Sequence, residues 1–126
     1  MIERELFEYL KDKYFPDLKK SLNPYSRWDC HTQASGYRIE LKCRKTHYPT
    51  LLIEEKKYNS MLESVKGTSD TPLYINSTPE GVFSFNLHTI KPTFEVNYKN
   101  PKTTMWGGGR VPKSVGYLPI TLAKKC

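Results

Sequence analysis

The strongest constraint in this chain is a pair of short segments, 27–32 (RWDCHT) and 37–44 (YRIELKCR), separated by Gln33-Ala34-Ser35-Gly36. A four-residue connection ending in glycine between two strand-like runs predicts a β-hairpin. Residues two apart in a strand share a face. Arg38, Glu40, Lys42 and Arg44 therefore lie on one side, and Tyr37, Ile39, Leu41 and Cys43 on the other, the natural core side. A loop of Gln33 to Gly36 makes paired residue numbers total 69, which sets Asp29 opposite Glu40. Opposed residues have Cβ atoms ~4.5–5.5 Å apart and point the same way. A slip of two in that total keeps all three on one face, with Asp29 opposite Lys42 instead. A slip of one disperses them.

The rest of the chain supplies a frame for that hairpin. Residues 2–15 predict a helix: Ile2, Leu6, Tyr9, Leu10 and Lys13 follow the 3.6 period, and Pro16 ends the run. Residues 17–26, with Asn23, Pro24 and several serines, read as a loop. Residues 52–66 predict a second amphipathic helix, with Gly67 as its stop. Strands are expected at PLYIN (72–76) and GVFSFNL (81–87), then at FEVNY (94–98) and VGYLPITL (115–122) around the glycine-rich segment 105–113. The order α-β-β-α-β-β-β implies an α/β sandwich with a mixed central β-sheet flanked by helices. With 126 residues, 37% apolar and 26% charged, one domain with its own core is expected.

Several classes are excluded or made improbable by composition. No apolar run approaches the ~20 residues a membrane helix needs, and MIERELFEYL lacks a signal-peptide pattern, so a soluble, cytoplasmic chain is expected. Cys30, Cys43 and Cys126 form no CxxC pair, and their spacing does not make a zinc site. Cys30 and Cys43 read as reduced thiols within strands. The net charge of +7 favours a polyanion partner, nucleic acid being the commonest, although a merely basic protein fits the same number.

The chemistry rests on the charged hairpin face. Two carboxylates as close as Asp29 and Glu40 repel unless a cation stands between them. Lys42 gives partial relief and a divalent ion gives more. Hard oxygen ligands suit Mg²⁺ or Mn²⁺, which keep several waters and also bind phosphate. A metal held there activates water and stabilises charge growing on a phosphodiester. Lys42 either orients or deprotonates that water, or neutralises the developing charge. The plainer reading is an exposed face of salt-bridging charges, but burying them on a central hairpin without a function costs several kcal/mol per unpaired ion.

These residues resemble the PD-(D/E)xK nuclease superfamily: an acidic residue on one strand (Asp29), then Glu-x-Lys on the next (Glu40-Leu41-Lys42). The proline of the name is absent, Trp28 preceding Asp29. The Glu3-Arg4-Glu5-Leu6 opening is similar to the first helix of archaeal Holliday junction resolvases, and the helix-hairpin-helix-strand order of residues 2–76 matches the superfamily core. The resemblance implies a restriction-endonuclease-like fold and Mg²⁺- or Mn²⁺-dependent cleavage of DNA, structure-selective or nicking, with RNA as an alternative substrate. It implies that Asp29 and Glu40 ligate metal, and that Glu3 joins them, with Glu5 or Glu8 as substitutes. A homodimer follows from the same analogy. A non-catalytic nucleic-acid-binding relative is the rival. A chain this compact would suit a virus or mobile element.

Around the site, Arg44, Lys45, Lys56 and Lys57 are candidate phosphate contacts, though Lys56 and Lys57 equally fit a solvated helix face. His31 shares Asp29's face, as a neighbour of substrate or as an ordinary strand histidine. Trp106, Arg110 and Lys113 frame the glycine-rich segment as candidate nucleic-acid contacts, with Trp106 stacking on a base or packing in a hairpin loop.

Overall fold

The computed structural model describes residues 1–97 and 112–126, with only the backbone of Asn97. Helix α1 (Glu3–Lys13) buries Leu6 and Leu10, one turn apart. Glu3 and Glu5 stand in the first turn and Lys11 and Lys13 in the last, matching the helix dipole. It stops short of the expected 2–15 because the Tyr14 and Phe15 N–H groups both converge on the Leu10 carbonyl, at 2.9 and 2.8 Å, ahead of Pro16.

Six strands then make one sheet: β1 (Lys19–Lys20), β2 (Cys30–Thr32), β3 (Tyr37–Cys43), β5 (Thr71–Thr78), β6 (Gly81–Asn86) and β9 (Lys124–Lys125). Their order is β1-β2-β3-β5-β6-β9. Only β3 and β5 run parallel, so the sheet is mixed, as expected. A parallel pair requires a crossover, made here by β4 (Thr50–Glu54) and α2 (Glu55–Val65). Gly36 closes the β2–β3 hairpin at φ 68°, a conformation that favours glycine.

Several features differ from the sequence expectations: strand β1 lies inside the expected loop 17–26, β2 starts at Cys30 rather than at residue 27, and β9 was not expected. The expected helix 52–66 begins as strand β4, and α2 starts only at Glu55. Leu52 and Ile53 fit the helical period, but they are pulled into an extended conformation by antiparallel pairing with β8 (Lys113–Pro119), Leu52 opposite Tyr117. FEVNY becomes strand only from Glu95 (β7, Glu95–Asn97), Tyr98 lying outside the described residues, and VGYLPITL ends in a 3-10 turn at Ile120–Leu122, where Ile120 N–H bonds the Pro49 carbonyl at 2.9 Å. Strands β4, β8 and β7 thus form a second, three-stranded sheet, and the order is richer than α-β-β-α-β-β-β.

Two apolar clusters flank the main sheet. On one face α1 packs Leu6 and Leu10 against Ile39, Leu41, Leu73 and Ile75. The other cluster joins Tyr74, Phe83 and Phe85 to Tyr58 and Met61 of α2 and Leu51 and Ile53 of β4. Ile39 and Leu41 therefore take the core side assigned to them. Both outer strands of the six-stranded sheet are exposed lysine pairs, which discourages a further strand from adding there. Among the described residues no helix is long and apolar enough to cross a membrane.

Candidate active site

The hairpin adopts the register read from its loop. Cys30 pairs with Ile39, His31 with Arg38 and Thr32 with Tyr37, each pair totalling 69. The ladder stops there, so Asp29 is not a strand partner of Glu40. Its N–H bonds the Ile39 carbonyl at 2.8 Å, so that Asp29 and Cys30 both address Ile39 in a bulge-like step. Such steps re-aim a side chain. Here the Asp29 carboxylate swings across β3 and its Oδ2 accepts the Leu41 N–H at 2.8 Å. That bond fixes the carboxylate between the two strands, next to Glu40.

Glu40 records the proximity. Burial, then the neighbouring Asp29 carboxylate, push its carboxyl up to about 7, while Lys57 pulls the other way. Lys57, from the first turns of α2, reaches Glu40 Oε1 at 3.3 Å. Burial, followed by the charges of Asp29, Glu3 and Glu40, also raises the Cys30 thiol to about 12. A thiol so disfavoured as thiolate is a core residue rather than a ligand, as the sequence implied.

Glu40, Lys42, Arg44, Leu52, Glu54, Lys57 and Tyr74 line a cleft of about 190 Å³ between the main sheet and β4. Lys42 is exposed at it. Arg44 is held as a clamp: its Nε donates to Asn76 Oδ1 at 2.7 Å, and one terminal nitrogen donates to the Tyr74 hydroxyl at 3.1 Å and to the Leu52 carbonyl. Lys113 pairs with Glu54 at 2.9 Å. Lys45 and Lys56 are exposed. Glu3, in the first exposed turn of α1, lines a separate cleft with Cys43, Arg44 and Lys45. His31 packs edge-on against Trp28 at 4.9 Å between ring centroids, and its buried Nδ1 has no partner among the described residues. Trp106 and Arg110 lie outside the described residues.

The structure therefore sets Asp29 and Lys57 against Glu40, places Lys42 on the cleft that Glu40 and Lys57 line, and has Glu3 lining a neighbouring cleft that shares Arg44. Among the described residues no three His, Cys, Asp or Glu side chains gather as a metal-ligand set. Two hard carboxylates still fit Mg²⁺ or Mn²⁺, which commonly take one or two protein carboxylates and keep water in the remaining positions. Sequence reading missed Glu54 and Tyr74. Glu54 was hidden by the helix assignment to 52–66; the alternation of Leu51 and Ile53 inward with Leu52 and Glu54 outward was the available signal.

A helix, a charged hairpin, a crossover and a parallel return strand define a mixed α/β fold of the kind seen in archaeal junction resolvases. In particular, the structure is similar to Hjc of Archaeoglobus fulgidus, a Holliday junction resolvase from an archaeal hyperthermophile. The TM-score is 0.62 at 15% sequence identity, over 98% of this chain and 87% of that one, a likeness of fold. No protein-family model and no curated protein sequence matches the chain.

Proposed function

We propose that this chain is a divalent-metal-dependent DNA endonuclease of the PD-(D/E)xK kind, structure-selective or nicking. One observation carries the reading: Asp29 and Glu40 meet closely enough for their charges to conflict, beside the lysine cluster of a cleft. The likeness of fold to a junction resolvase supports the same class. Asp29 and Glu40 would hold Mg²⁺ or Mn²⁺, which supplies Lewis acidity toward a phosphodiester and a hydroxide at neutral pH.

The remaining roles belong to the chain's own groups. The Leu41 N–H holds Asp29 in place, and Lys57 holds Glu40. Lys42 takes or steers the proton of the attacking water, or offsets charge on the transferring phosphate. Lys45 and Lys56 take flanking phosphates. Glu3 is assigned an outer carboxylate role by the resemblance to junction resolvases, from the neighbouring cleft it lines with Arg44. Cutting both strands calls for a second copy, hence a homodimer.

The test is incubation with supercoiled plasmid, flap, four-way and RNA substrates plus Mg²⁺ or Mn²⁺. Cutting is expected to need the metal, to stop with chelator, and to fall at least about 100-fold in Lys42→Ala, on the scale of general acid-base catalysis, with binding retained. Binding by the intact chain without cutting under either metal would replace this reading with that of a non-catalytic nucleic-acid-binding protein. Cutting of RNA alone would move the substrate class.

A further inference from the structure

The loop that leads into Asp29 lifts two apolar side chains into solvent. Leu22 is 98% exposed and Tyr25 is 90% exposed. The loop is nevertheless well tied. Ser21 N–H bonds the Asp29 carbonyl at 2.8 Å and closes residues 21–29 into a ring. Asn23 Oδ1 accepts the Tyr25 N–H at 2.9 Å, and the Asn23 carbonyl accepts the Ser26 N–H at 3.0 Å. At its root Trp28 packs against the α2-side cluster, with the Arg38 guanidinium 5.7 Å from its ring centre.

Single exposed apolar residues are ordinary on protein surfaces. Two in one hydrogen-bonded ring, with exposed Lys19 and Arg27 flanking it in sequence, set apolar side chains within a cationic margin. Asp29 follows Tyr25 by four positions, and a chain spans at most ~3.6 Å per residue, so the two Cα atoms lie within about 14 Å. That is about four nucleotides at the ~3.4 Å spacing of stacked bases.

We propose that loop 21–28 is a base-stacking platform. Tyr25 takes an unpaired base of a nucleic-acid strand whose phosphates run past Lys19 and Arg27. Strands that leave the duplex near the cleft are thereby selected over continuous duplex. The placement beside a scissile bond rests on the nuclease reading. Charge complementarity, and a chain that runs from the loop directly into Asp29, favour a nucleic-acid occupant. An aromatic face accepts any base, so the platform reads strand structure rather than sequence.

The full chain is titrated in EDTA, where nothing is cut, against a flap oligonucleotide carrying 2-aminopurine at its unpaired base and against a blunt duplex. The intact protein is expected to quench the probe. Tyr25→Ala should abolish the quench and weaken flap binding about 10-fold, the scale of one lost stacking contact, with duplex binding unchanged. Tyr25→Phe should keep both properties. Unchanged flap binding in Tyr25→Ala, or equal weakening on flap and duplex, overturns the platform. So does Tyr25-dependent binding to anionic phospholipid vesicles with flap binding unaffected. Because the titration needs no cleavage, a chain that never cuts but shows the Tyr25-dependent quench retains the platform and loses only the nuclease reading.

Discussion

At Glu40, folding takes a carboxyl group out of water and sets it beside a second one. Its proton affinity rises from the ordinary 4.5 to about 7, and the half-exposed Lys57 offsets only part of the conflict. Between pH 4.5 and 7 the folded chain keeps a proton that the unfolded chain has released. Stability from this group is therefore greatest at pH 4.5 and below, falls through that window, and is lowest above pH 7. The full shift corresponds to at most about 3 kcal/mol, less after solvent screening at Lys57. Glu40→Gln is expected to raise the urea midpoint at pH 8 and to flatten the decline between pH 5 and 8, while abolishing cleavage. Equal pH slopes for the two proteins would mean that the carboxyl groups do not meet. The shared face of Glu40 and Lys42 was readable because strand faces alternate with period two, and the loop length gave the Cys30–Ile39 register. The details of Asp29 were not readable. Its bulge-like step depends on the Ile39 carbonyl and Leu41 N–H across the hairpin, not on local propensity.

Between elements, Arg44 decides whether the cleft exists. It ties β3 to Asn76 and Tyr74 of β5 and to the Leu52 carbonyl of β4, bridging the two sheets. Removing the guanidinium leaves those acceptors facing one another with a donor missing. Arg44→Ala is expected to cost about 2–4 kcal/mol, several hydrogen bonds with buried partners, read as a lowered urea midpoint. Unchanged stability with weakened DNA binding would instead make Arg44 a phosphate contact. Helix α1 and strands β3, β5 and β6 follow from strong local periodicity. Strand β4 does not, because its extended form is imposed by β8, more than sixty residues along the chain. Glu54 and Tyr74 entered the cleft only through that pairing and the parallel β3–β5 ladder, in which Glu40 stands beside Tyr74.

Across the whole molecule, the excess positive charge sets how nucleic acid is held. If Lys42, Lys45, Lys56, Lys57 and Arg27 neutralise five phosphates, duplex affinity should fall with log salt at a slope of about −4 to −5. Anisotropy titrations over a range of KCl concentrations measure it, and a slope near zero would argue against phosphate contacts by these side chains. Sedimentation equilibrium is expected to give a dimer at micromolar concentration; a monomer at high micromolar concentration would leave the chain a nicking enzyme at most.

The lysine pairs that bound the six-stranded sheet also bear on how a dimer could be built. An approaching strand at either rim would meet like charges, so two copies are steered away from fusing their sheets into one continuous ribbon. A stable pair is then expected to join elsewhere than at these two rims.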